Sequence, residues 1–151
     1  MTYFSTKTFE DLPCCHRQWR HSGHCRSVHG YSRSFTFYFK ANKLDENMFV
    51  VDFSDLKDLN ALLINQYDHT FLVNEDDPLM NEWKQLYEKG AIDLRIMKNV
   101  GMEYSAELSW KWANQILYKK HKGRTCCFKV EARENRKNSA LFESLPEWYS
   151  N

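Results

Sequence analysis

At 151 residues the chain is long enough for one domain with a sizeable core and too short for two. An apolar fraction of 42% with 15% aromatics belongs to a folded globular protein, and a net charge of +1 with acids and bases interspersed excludes a general nucleic-acid binder. No apolar run approaches the roughly 20 residues that span a bilayer, and residues 1–12 lack the charged start and apolar stretch of a secretory signal, so the expected compartment is the cytoplasm.

Residues 3–9 alternate aromatic and β-branched side chains and predict a strand. Residues 13–27 are polar and rich in His, Arg and Cys, which predicts a structured loop. Residues 28–40 form the clearest strand, with Phe35, Phe37 and Phe39 on one parity and Thr36 and Tyr38 on the other. Asp45-Glu46-Asn47 reads as a turn into a hairpin partner over 48–53. Ser54 can cap a helix with Leu56, Leu59, Leu63 and Ile64 at helical spacing. Pro78 opens a second helix carrying Leu79, Trp83, Leu86 and Tyr87, and Gly90 ends it. After a short strand over 92–97, Ser105 can cap a third helix with Leu108, Trp112 and Ile116 as its apolar stripe, and Lys119, Lys120 and His121 suit its C-terminal end. Residues 125–134 form the last long strand. This order predicts an α+β fold with helices on one face of an antiparallel sheet.

Five cysteines, an odd number without a secretory signal, point to free thiols. The adjacent pairs Cys14-Cys15 and Cys126-Cys127 read as small buried apolar residues in strands. Cys25 differs, because it sits among His16, His21, His24, His29 and several arginines. His29 and Tyr31 project to the same face of one strand, and His16 ends the preceding one, so the three can form corners of a metal site with an open fourth corner. On spacing alone a solvated structural cluster fits equally well.

The run Cys15-His16-Arg17 followed by Gly23-His24-Cys25-Arg26-Ser27-Val28-His29-Gly30 resembles the pattern A-x-H-R…G-x-x-C-x-x-x-H-G-H of the 6-pyruvoyl/6-carboxy-tetrahydropterin synthases. Further similar segments keep the family's order: Val50-Val51-Asp52-Phe53-Ser54-Asp55-Leu56-Lys57, Tyr67-Asp68-His69-Thr70-Phe71-Leu72-Val73-Asn74, Ser105-Ala106-Glu107 and Val130-Glu131-Ala132. The resemblance implies the T-fold over a single domain, residues 1–151, whose subunits join their sheets into an oligomeric barrel, a homo-oligomer of hexamer size. It implies zinc held by His16, His29 and the position of Tyr31, a catalytic thiol at Cys25, an acid/base pair at Asp68 and His69, and a pterin-gripping carboxylate at Glu131. Arg26 is the substrate-binding cation, with Arg17, Arg20 and Arg33 as further candidates for a triphosphate.

Tyr31 stands where the family has the third histidine of its zinc site, which implies a weakened or altered site, with His24 or His21 as other donors. The implied activity is that of a lyase converting dihydroneopterin triphosphate to 6-carboxy-tetrahydropterin in a queuosine-type deazapurine pathway. The alternatives are the 6-pyruvoyl product or a non-catalytic pterin-binding protein. No nucleic acid or membrane is expected as a partner.

Overall fold

The structure, a computed structural model, describes residues 1–149. It contains six strands, β1 Tyr3–His16, β2 His29–Ala41, β3 Thr70–Asn74, β4 Leu94–Met97, β5 Thr125–Arg133 and β6 Ser139–Glu143, and three helices, α1 Lys57–Tyr67, α2 Met80–Glu88 and α3 Met102–His121. One sheet runs β4-β3-β1-β2-β5-β6. Strands β1, β2 and β5 pair antiparallel, as expected, and β6, which the sequence pattern does not predict, adds antiparallel to β5. The sheet is mixed rather than antiparallel throughout, because β3 and β4 add in parallel beside β1. Parallel neighbours need a crossover, and α2 supplies the one between β3 and β4.

Alternation along β2 builds the core. Phe35, Phe37 and Phe39 are fully buried, together with Leu59 and Leu63 of α1 and Ala106, Ala113 and Leu117 of α3. Each phenylalanine contributes roughly 2–3 kcal/mol by leaving water. Leu108, Trp112 and Ile116 flank this seam as partly buried residues. At the β3 end, Leu72 joins the core beneath α1, whereas Phe71 has the opposite parity and carries Trp83 of α2 at 4.9 Å between ring centres. Thus α1 and α3 cover one face, and α2 lies at the edge of the other.

Strand β1 is longer than its pattern suggests. A bulge between Phe9 and Leu12, with Asp11 at φ 62°, absorbs Glu10 and Asp11 and lets pairing resume through Pro13 to His16. The expected hairpin partner over 48–53 is not a strand, since both edges of β2 are already taken by β1 and β5. Instead, Asp45 accepts the backbone N–H groups of Asn47 and Phe49, Met48 adopts φ 65°, and Val50 and Val51 drop into the core from a coil. Asp52, not Ser54, caps the 3-10 turn over Phe53–Leu56 that leads into α1. Ser105 is likewise not a cap: α3 starts at Met102, with Gly101 as N-cap, and the Ser105 hydroxyl is buried against Arg33.

The cysteine pairs lie in β1 and β5 as free thiols. Cys14, Cys126 and Cys127 are buried, and burial pushes the Cys126 thiol up to about 12.

Candidate active site

The β1–β2 register places His16 directly opposite His29 and Cys14 opposite Tyr31. Opposed residues of an antiparallel pair share a face, so His16, His29, Tyr31 and Arg33 all project towards the helix-covered side. Gly30 is required between them, because a Cβ there would sit 2.7 Å from the Cys14 carbonyl oxygen. The rings of His16 and His29 are 4.6 Å apart, and Tyr31 lies 5.7 Å from His29 and 6.5 Å from His16.

Each histidine has its own anchor. His29 Nδ1 lies 2.7 Å from the Ser27 carbonyl, which can only accept, so Nδ1 carries the hydrogen and Nε2 keeps a lone pair for the pocket. His16 is 6% exposed, and its Nδ1 lies 3.2 Å from Arg33 Nη2. Guanidinium has no acceptor, so His16 Nδ1 accepts. Burial above all, then the charge of Arg33 and the proximity of His29, drives the His16 pKa down to about 3, which leaves the imidazole neutral. Arg33 is itself fully buried and also donates to Ser105 Oγ at 3.0 Å and to the Val100 carbonyl at 2.9 Å. It is therefore a wall of the site and cannot reach a triphosphate.

Strand β5 contributes Glu134 one residue past its end. A ring nitrogen each from His16 and His29 and a carboxylate oxygen of Glu134 all lie within 4.8 Å of one another. The negative charge of Glu134 is the main reason that the Tyr31 phenol is raised above its ordinary value. Imidazoles beside a carboxylate are a donor set suited to a divalent transition ion.

Cys25 lines the same pocket of about 250 Å³ as His16, His29 and Glu134, with Gly101, Met102 and Glu103 from the start of α3 closing one side. A 3-10 turn over His24–Arg26 holds it there, with Gln18 N–H bonded to the Cys25 carbonyl at 2.9 Å. Arg17 closes a two-bond ion pair with buried Asp77, and Arg20 pairs with Asp76. Arg26 is exposed beside the pocket, and His21 and His24 are exposed on the loop.

Asp68 and His69 stand elsewhere. They follow α1, His69 at φ 56° with its N–H on the Pro13 carbonyl at 2.7 Å, and His69 lines a groove of about 540 Å³ with Cys15, Ser32 and Phe71. These have the parity opposite to His16, so the groove belongs to the other face of the sheet. His69 Nδ1 donates to Asp68 Oδ1 at 2.7 Å, which leaves Nε2 open. Glu131, opposite Thr36, shares that second face and holds Arg133 at 2.8 Å. The chain therefore carries two groups of side chains: His16, His29, Tyr31, Cys25 and Glu134 on one face, and Asp68, His69 and Glu131 on the other. Glu107 belongs to neither and pairs with Lys111 along α3.

Two participants escape sequence reasoning, Glu134 and the buried role of Arg33. Both carry a signal: they are charges on the parity that Phe35 and Ala132 mark as inward.

The model of the 6-pyruvoyl tetrahydropterin synthase family matches residues 5–144. Among curated proteins, the chain is 32% identical over 68 residues to a 6-carboxy-5,6,7,8-tetrahydropterin synthase of Rickettsia conorii, covering 44% of this chain and 49% of that protein. It is 32% identical over 65 residues to the Aquifex aeolicus protein of the same name, covering 43% and 40%. The matches thus span about half the length of these relatives or less. An uncharacterized Wolinella succinogenes protein, WS1659, superposes with a TM-score of 0.79 at 19% identity, covering 95% of this chain and 98% of that one. Plasmodium vivax 6-pyruvoyltetrahydropterin synthase gives 0.63 at 16% identity, covering 93% and 97%. These two likenesses show the T-fold alone. Because the family model matches residues 5–144, most of the chain, the chain belongs to the 6-pyruvoyl tetrahydropterin synthase family.

Proposed function

We propose that the chain is a cytoplasmic lyase that converts dihydroneopterin triphosphate to 6-carboxy-tetrahydropterin in a queuosine-type deazapurine pathway. The observation that carries this reading is Cys25 in one pocket with His16 and His29, a thiol beside two imidazoles. The name borne by the curated relatives supports the carboxy product.

The work divides among the residues by chemistry. Glu131 grips the amino-pyrimidinone edge of the pterin, whose two parallel N–H groups match a carboxylate. Arg133 already occupies one of its oxygens and moves aside for the ring. Arg26, with the exposed Arg20, meets the triphosphate, for which a planar guanidinium is well shaped. Cys25, as the thiolate, takes a proton from the substrate side chain and becomes the thiol. Asp68 fixes the His69 tautomer, so that Nε2 can pass protons to and from the side-chain oxygens. His16 and His29, with a third donor from the Tyr31 side, would hold a divalent ion such as zinc, whose Lewis acidity would polarise those oxygens and acidify the neighbouring C–H bonds. Cys25 and His69 occupy opposite faces of one sheet, so the substrate is held between subunits of a homo-oligomer, a hexamer in this reading.

The test is product analysis with dihydroneopterin triphosphate and zinc-loaded protein. Release of acetaldehyde with a 6-carboxy product supports the reading. A 6-pyruvoyl product without acetaldehyde would establish the second reading, favoured by the family's own description. Tight pterin binding without turnover would leave a non-catalytic binder.

A further inference from the structure

We infer that Arg33 is a positioning residue that holds the His16 imidazole in the tautomer opposite to the one an ion needs, and so sets how tightly this chain keeps its metal. The inference rests on the reading of His16 and His29 as metal donors, and it does not require the proposed turnover.

The two imidazoles face each other across β1 and β2, 4.6 Å apart between ring centres, yet their anchors have opposite polarity. Behind His29 stands the Ser27 carbonyl, 2.7 Å from Nδ1. A carbonyl only accepts, so the hydrogen sits on Nδ1 and Nε2 is the nitrogen left for an ion. Partners of this kind ordinarily prepare an imidazole for a metal. Behind His16 stands a guanidinium instead, with Arg33 Nη2 3.2 Å from Nδ1. A guanidinium only donates, so Nδ1 accepts and the single ring hydrogen of His16 sits on Nε2. Nε2 is the nitrogen left to the pocket that His16 shares with His29 and Cys25. It offers that pocket a hydrogen and not a lone pair.

Arg33 has little freedom to yield. It is fully buried, and its Nη1 donates to Ser105 Oγ at 3.0 Å while Nη2 also donates to the Val100 carbonyl at 2.9 Å, which ties the fork to the start of α3. Its Nε is buried and has no partner among the described residues. Ligation of an ion through His16 Nε2 sends that hydrogen away and brings one onto Nδ1, with no net proton released. Two N–H groups then point at each other, and Arg33, already one acceptor short, loses a second. A buried donor left without a partner opposes binding. Ligation through Nδ1 would displace the guanidinium outright. By either route a buried cation stands behind one ligand of a dication, and the two repel. The chain should therefore bind its ion more weakly than a site whose histidines are all backed by acceptors.

Two measurements on the full-length protein, stripped with a chelator, test this. Solid-state 15N spectra of histidine-labelled wild type, with the His16 signals identified by their loss in His16→Ala, should show His16 bare at Nδ1 and protonated at Nε2 without metal, and the reverse after Zn2+ is added. Competition for Zn2+ against a chromophoric chelator, without any pterin, compares wild type, Arg33→Met and Ser105→Ala, with thermal melts to check folding. Arg33→Met removes both the charge and the donor and should bind Zn2+ about ten- to a hundredfold more tightly. Ser105→Ala loosens the same buried cluster but leaves the His16 bond, and should stay close to wild type. A hydrogen on His16 Nδ1 in the metal-free wild type would overturn the inference, even if Arg33→Met failed to fold. Affinity in folded Arg33→Met no higher than in wild type would overturn it too, as would an equal gain in Ser105→Ala. Zn2+ binding by none of the three would remove the metal reading as well, whereas a lack of turnover would touch neither measurement.

Discussion

Cys25 and Glu131 are proposed to do different jobs from different faces of the sheet, and substitution should separate them. Cys25→Ala removes a proton acceptor but no pterin contact, so kcat should fall by about 10²–10⁴ while pterin affinity stays within a few-fold. Glu131→Ala removes a charge-assisted, two-bond grip and should weaken pterin binding by about 3 kcal/mol, roughly a hundredfold. Calorimetry with a non-reacting pterin alongside turnover checks both; equal losses in both quantities for both variants would remove the division of labour. At this scale, part of the site is legible in the sequence. His16, Cys25 and His29 stand out because histidine and cysteine are scarce and clustered, and the structure brings all three to one pocket. Arg33 reads as a phosphate ligand from sequence because guanidinium is normally a surface group. Only packing reveals that Ser105, Val100 and His16 satisfy it inside the core.

The loop that bears Cys25 is held by ion pairs as well as by its short 3-10 turn. Arg17 makes two bonds to Asp77, at 2.8 and 2.9 Å, and Trp19 Nε1 donates to Asp76 at 3.0 Å, so the loop is stapled to the entrance of α2. Burial by itself would raise the Asp77 pKa, but the bonds from Arg17 and the Leu79 N–H outweigh it and hold the carboxyl below its ordinary value. A lowered acid stabilises the fold fully above its unfolded value, near 3.8, and loses that contribution as pH falls through the lower folded value. Asp77→Asn should therefore cost about 3 kcal/mol at neutral pH, by leaving Arg17 without its charge partner. The gap from wild type should shrink as pH drops below about 3.8. Urea melts of both proteins across pH measure this; a gap that does not change with pH would mean that the pair carries no charge-dependent stability. Elements with long periodic patterns, such as β2, α1 and α2, are legible in the sequence, whereas β3 and β6 are not. Strand β3 is only five residues and buried throughout, so it shows no alternation. The stretch over 48–53 looks β-branched and apolar because Val50 and Val51 fill the core from a coil, a use of valine that pattern alone cannot distinguish from a strand.

Strands β4 and β6 are the open edges of the sheet, and β6 exposes alternate residues, with Leu141 54% accessible. Unpaired edges of this kind invite pairing between subunits, and sedimentation should find an oligomer at micromolar concentration. A stable monomer would contradict the barrel. In the proposed enzyme one catalytic site is built from two subunits, Cys25 with the imidazole pocket from one and Asp68–His69 from its neighbour. Mixed oligomers test this directly. Cys25→Ala and His69→Ala, each nearly inactive alone, are co-expressed with different tags, purified through both tags, and assayed for turnover. If each site draws on two chains, random equal mixing leaves about one site in four with both residues intact, so activity should return to about a quarter of wild type. If Cys25 and His69 of the same chain worked together, every subunit in the mixture would carry a defect, and activity would stay at the level of the single variants.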